Sequence, residues 1–186
     1  MSSSDIFPCV SSFRLGYSPA EVGDFFEKAR NAYEGGVPAS EFSAEQVRLA
    51  SFPLRRGGYD TKIVDAALNR LEAAFVQRDR ADFIAVQGES EWYAKVADSA
   101  TTLYPRLLKP AGERFPHPRK GEKGYRADQV DALLDELSGF FDDKVKLTAD
   151  DIRFALFDTA KGNKAYSEAH VDIFLGRAID ILLAVS

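Results

Sequence analysis

The chain has 186 residues, 45% of them apolar and 28% charged, with 29 acidic against 24 basic side chains and a formal charge of −5. That balance supports a packed core in one domain or two small ones, and it argues against a disordered chain or a large nucleic-acid-binding face. A single cysteine and two histidines, His117 and His170, exclude a disulfide framework and a cysteine-rich zinc site.

Met1 to Asp5 hold no Lys or Arg and no apolar run follows, so no secretory leader is expected. Cys9 is expected as a small buried hydrophobe. Ser18-Pro19-Ala20-Glu21 supplies an N-cap, a proline at N1 and an acid at N3, which predicts a helix over 19–33 that Gly35-Gly36 ends. Ser43 with Gln46 forms a capping box that opens a short helix near 44–51. Asp60 caps a third helix over 61–77. Arg80 to Tyr104 continues as helix with a break at Gly88 and an end at Pro105, and Trp92 and Tyr93 are read as core. Residues 105–124 hold four prolines and three glycines among basic residues, the composition of a linker. A helix over 127–142 starts on Arg126, a poor cap. Thr148 with Asp151 opens a second short helix near 149–157, and Ser167 caps a last helix over 168–185. His170 is expected to bond locally, and His117, between Pro116 and Pro118, to meet solvent. The longest apolar stretch, Ile179 to Val185, is interrupted by Asp180 and is too short to cross a bilayer. No period-two run argues for a sheet, so the expected class is all-α.

Four segments share one pattern. Tyr17, Tyr59, Tyr125 and Tyr166 each open a segment, the first three directly after Gly and the fourth after Ala165. Val22, Val64, Val130 and Val171 lie five residues on, followed by Asp65, Asp131 and Asp172 in three copies and by Gly23 in the first. Larger apolar residues then recur at steps that place them on one helical face: Phe26, Leu68, Leu134 and Leu175, for example. A phenylalanine precedes each tyrosine (Phe7, Phe52, Phe115, Phe157), with proline next in the first three, and basic residues fill the interval. Corresponding tyrosines of the first and second pair stand 108 and 107 residues apart, so the chain has the layout of a duplicated pair. We divide it into a first pair at 1–78, a connecting helix at 79–104, a linker at 105–124 and a second pair at 115–186. One such unit cannot bury its stripe alone. Either two units pack within the chain, or stripes meet between chains in a homodimer.

Phe13-Arg14-Leu15-Gly16-Tyr17 through Val22, and Arg55-Arg56-Gly57-Gly58-Tyr59-Asp60 through Val64-Asp65, resemble the N-terminal domain of DivIVA, the bacterial cell-division and polar-growth scaffold. The tandem arrangement is similar to the actinobacterial proteins that repeat this domain. The resemblance implies a non-catalytic adaptor or regulator of division or polar growth, with helices for assembly and an apolar residue flanked by Arg or Lys for membrane contact. The matching positions are Phe13 with Arg14, Leu54 with Arg55 and Arg56, and, less closely, Arg119 with Lys120. The chain departs from the family in two respects: Gly23 stands in place of Asp, and no sustained heptads follow.

The residues themselves favour plain roles. Each tyrosine is expected to pack its ring on the helix stripe and bond through its hydroxyl. Each aspartate is expected to meet a helix dipole or a loop arginine, a contribution of roughly 0.3–1 kcal/mol. No catalytic set, metal or cofactor is implied. The expected partners are a protein and, as a second candidate, an anionic membrane surface met from the cytoplasmic side; nucleic acid is not expected. The competing class is a helical small-molecule-binding or purely structural domain whose loops have lost the ancestral contact.

Overall fold

The computed structural model of the protein describes residues 6–36 and 41–186, so the expectation for Met1 to Asp5 lies outside the described residues. The chain forms two compact units that divide between Asp82 and Phe83.

The first unit holds β1 (Leu15–Tyr17), α1 (Pro19–Tyr33), α2 (Ala44–Arg48), β2 (Leu54–Arg56) and most of α3 (Thr61–Gln87). The Ser43 box forms as the sequence predicts, with the Gln46 side chain accepting the Ser43 N–H at 2.8 Å. Val22, Ala29, Val64, Leu68 and Phe75 lie buried between α1 and α3 with Phe42 and Val47 from α2 and the segment before it. Arg78 closes the carboxyl end of α1, donating to the Ala32 and Tyr33 carbonyls at 2.8 and 3.1 Å. Its guanidinium also lies 4.8 Å from the centre of the Phe75 ring. Glu72, fully buried on α3, accepts from Arg48 at 2.7 Å.

The second unit repeats that order as β3 (Lys123–Arg126), α6 (Ala127–Phe141), α7 (Ala149–Arg153), β4 (Thr159–Lys161), a 3-10 turn at Gly162–Lys164, β5 (Ala165–Tyr166) and α8 (Glu168–Val185). It adds α4 (Glu89–Thr101) and α5 (Tyr104–Leu107) ahead of them. Gly88, with φ of 92°, makes the break before α4. Trp92 is buried and its indole N–H donates to the Ala184 carbonyl at 3.2 Å, whereas Tyr93 is exposed rather than core. Residues 105–124 include Arg114 and Phe115, both buried in this unit.

The all-α expectation is overturned. The fold is mixed, about 59% helix and 10% strand, with two small antiparallel sheets. β1 pairs with β2, with Leu15 opposite Arg56 and Tyr17 opposite Leu54. β3 lies between β4 and β5, with Lys123 opposite Lys161 and Tyr125 opposite both Thr159 and Tyr166. These strands are two to four residues long, too short to show alternation, and each finds its partner in the other repeat of its pair, some 40 residues away.

Candidate functional site

The two repeats within each unit are held together by an exchange of their signature residues. Each phenylalanine ring packs on the tyrosine of the other repeat, with centroids 5.6 Å apart for Phe7–Tyr59, 5.4 Å for Phe52–Tyr17, 5.3 Å for Phe115–Tyr166 and 5.2 Å for Phe157–Tyr125. The residue after each tyrosine donates its N–H to the carbonyl that follows the other repeat's phenylalanine. Ser18 bonds Pro53 at 2.9 Å, Asp60 bonds Pro8 at 2.9 Å, Arg126 bonds Asp158 at 2.8 Å and Ser167 bonds Pro116 at 2.8 Å. Tyr17 and Tyr59 also bond each other's backbone in both directions at 2.9 Å.

The tyrosine hydroxyls complete the exchange. Tyr17 donates to Asp65 and Tyr125 to Asp172. Tyr166 donates to Asp131 at 3.0 Å. Burial, with the adjacent carboxylate acting in the same direction, holds all three phenols above their ordinary range. Burial also raises the carboxyls of Asp65 and Asp172, against the lowering effect of the tyrosine bond. The four signature valines are completely buried, so they and the tyrosines are architecture.

The first repeat shows what happens when one partner is lost. The hydroxyl of Tyr59 receives the Ile6 N–H at 3.3 Å, as Tyr166 receives that of Arg114 at 3.1 Å, but Gly23 stands where the carboxylate would be. A side-chain carbon at Gly23 would meet nothing within 4 Å. Gly23→Asp is therefore expected to stabilise the protein by about 1 kcal/mol, through the hydroxyl bond and the better helix propensity. Thermal unfolding checks it: the gain in Tm should shrink to the propensity share when Tyr59→Phe is added.

The exposed candidate residues gather at two strand tips. In the first unit a four-residue turn, closed by the Arg14 N–H on the Ser11 carbonyl at 2.9 Å, projects Phe13 at 90% exposure. Gly57, with φ of 67°, turns the end of β2 so that its N–H donates to the Arg14 carbonyl at 2.9 Å. Leu54 is 54% exposed, and Arg14, Arg55 and Arg56 are exposed as well. The structure thus places Phe13, Arg14 and Arg56 at one end of the β1–β2 ladder, adds Leu15, 58% exposed, which the sequence did not single out, and sets Leu54 opposite Tyr17 at the other end of the three-residue ladder, with Arg55 between. Arg119 and Lys120 lie at the corresponding tip of the second unit, also exposed.

One other expectation is corrected. Cys9 is exposed, because it forms a bridge at the sheet edge opposite Tyr59 instead of lying in the core. His117 is exposed to solvent as expected and has protein partners as well: its Nδ1 lies 2.8 Å from the Ala165 carbonyl and its ring stacks on Tyr166. His170 bonds Ser167 at 3.0 Å, as expected.

The second unit has a surface cavity of about 770 Å³ bordered by Gly112, Arg126, Asp128, Asp131, Asp135 and Lys164. Its carboxylates are already engaged. Asp128 holds Arg126, Asp135 holds Arg114, and Asp131 accepts from Gly112 at 2.7 Å and from Tyr166. Among the described residues no group of three or more His, Cys, Asp or Glu is placed to hold a metal ion, and no helix is long and apolar enough to cross a membrane. Neither a protein-family model, nor a curated protein, nor a solved structure matches this chain.

Proposed function

We propose that the chain is a non-catalytic DivIVA-like repeat protein, an adaptor or regulator in bacterial cell division or polar growth, which touches the anionic inner face of the membrane through the β1–β2 tip. The observation that carries this reading is the exposure of Phe13 at 90% on a turn bordered by Arg14, Arg55 and Arg56. A phenylalanine held in water on a pinned turn forgoes roughly 2 kcal/mol that an apolar environment would return. Each arginine near an anionic leaflet adds about 1 kcal/mol. With Leu15 and Leu54 the gross gain is roughly 7 kcal/mol, which after ordering costs supports reversible peripheral binding and not permanent anchoring. Other apolar side chains are exposed too, among them Leu108, Leu156 and Ile173, but the β1–β2 tip is where Phe13 and Leu15 stand beside Arg14 and Arg56 on paired strands and a closed turn.

Sedimentation with vesicles containing phosphatidylglycerol tests the proposal. Wild type should pellet at low salt, and Phe13→Ser/Leu54→Ser should lower the bound fraction at least tenfold, because about 3 kcal/mol of apolar transfer is removed. Equal pelleting of both proteins would sink the insertion.

A further inference from the structure

The second tip shares the strand register and the closing turn of the first, with a 3-10 turn at Gly162–Lys164 added, and has different chemistry. In the strand register Lys123 takes the place of Leu15 and Thr159 that of Leu54, while Gly121 occupies the place of Phe13. Every apolar anchor of the first tip is absent from the second. In exchange the stretches 119–124 and 159–164 carry Arg119, Lys120, Lys123, Lys161 and Lys164, all exposed, against one acid, Glu122. Glu122 is turned back on the loop, accepting the Arg119 N–H at 3.3 Å.

Lys123 and Lys161 are directly opposed across the antiparallel pair and so share one face of the sheet. Opposed residues hold their Cβ atoms about 5 Å apart, and like charges in that position destabilise the ladder. The first tip avoids this conflict by setting Leu15 against Arg56. In a chain with a formal charge of −5, two lysines kept in mutual repulsion at the end of a short ladder favour an anion between them.

We propose that the β3–β4 tip is a phosphate-binding surface, centred on Lys123 and Lys161 and flanked by Lys120, which takes a multiply charged phosphate group without inserting into a bilayer. The site is independent of the membrane reading of the first tip. The phosphate can belong to a lipid headgroup or to a soluble oligophosphate, since the ammonium pair recognises the charge and not its carrier.

Two probes applied to the full chain separate these sources. In the first, tripolyphosphate is titrated at constant ionic strength and followed by amide NMR shifts. Saturable shifts are expected at Lys123, Lys161 and their neighbours, weakened about twentyfold in Lys123→Gln/Lys161→Gln and unchanged in Phe13→Ser/Leu54→Ser. In the second, vesicles containing phosphatidic acid, whose phosphomonoester headgroup is multiply charged, are pelleted with the Phe13→Ser/Leu54→Ser protein. Residual binding that salt abolishes, and that the lysine substitutions remove, assigns lipid headgroups as the source. Tripolyphosphate binding without vesicle binding assigns soluble phosphate. The lysine variant should unfold at the same or a higher temperature than wild type, because it relieves the repulsion, so a loss of binding cannot be put down to misfolding. Binding to neither probe, or binding to both that is undiminished by the lysine substitutions, overturns the site. Vesicle binding by wild type that ignores Phe13 and Leu54 would sink the first-tip proposal while leaving this one standing.

Discussion

Gly58→Ala is expected to destabilise the protein by about 3 kcal/mol or more. A side-chain carbon at Gly58 would lie 2.6 Å from the Gly16 carbonyl oxygen and 2.7 Å from its carbon, and Gly16 meets Gly58 with the same crowding. Both obstacles are backbone, so neither can yield by changing rotamer. Relief requires the two strands to part, which breaks the reciprocal Tyr17–Tyr59 bonds at 2.9 Å. It also displaces the bonds from Ser18 to Pro53 and from Asp60 to Pro8 that depend on the same crossing. Each lost bond adds about 1 kcal/mol. Gly23→Ala is the control, since the same chemical change falls in a helix with open space around it and should stabilise by roughly 0.5–1 kcal/mol. Urea unfolding of the two variants beside wild type checks the pair. A Gly58→Ala midpoint matching wild type would mean that the glycines are not required by the crossing.

These glycines show where the sequence was legible and where it was not. The helices could be found because their signals are local. Ser18-Pro19 and the Ser43 and Thr148 boxes mark starts that the structure places at Pro19, Ala44 and Ala149. The buried stripe through Val64, Leu68 and Phe75 is a period-3.6 pattern within one element. α3 joins the expected helix over 61–77 to the helical stretch expected from Arg80, because nothing between Arg78 and Gln87 breaks a helix, and Gly88 is the break, as expected.

The strands were hidden because each is short and depends on a partner in another repeat. The recurrence of Phe, Gly-Tyr and Asp was visible, and so was the need for units to pack in pairs, but the pattern grouped each Phe with the Tyr of its own copy. In the structure each signature residue serves the neighbouring copy instead: Phe52 meets Tyr17, and Tyr17 meets Asp65. One clue lay in the exceptions. Gly23 and Tyr59 belong to different copies, and only a crossed pairing makes the loss of an aspartate in one copy matter to the tyrosine of the other. The exposed tip was legible as an apolar residue among arginines, and Leu15 was missed because its exposure follows from a strand that the pattern did not reveal.

The crossed pairing also ranks the three aspartates, and Asp131→Ala is expected to cost the most, about 3–5 kcal/mol. Asp131 is buried, accepts from the Gly112 N–H at 2.7 Å and from the Tyr166 hydroxyl at 3.0 Å, and lies 3.7 Å from Nε of the buried Arg114. Removing it leaves an N–H and a hydroxyl without their acceptor and strips a guanidinium of one of its two carboxylates, the other being Asp135. Among the described residues no arginine takes this role for Asp65 or Asp172, and burial raises their carboxyls. A carboxyl with a raised folded pKa gives stability that is full below the ordinary unfolded value and is lost as pH rises through the folded one. The exchange with these two carboxyls therefore contributes less at neutral pH than at low pH, and Asp172→Asn should change stability by less than about 1 kcal/mol. A double-mutant cycle of Asp131→Ala with Tyr166→Phe should return a coupling of about 1–2 kcal/mol. Equal losses for Asp131→Ala and Asp172→Ala at neutral pH would show that the tyrosine bond alone, and not the arginine behind it, sets the strength of the exchange.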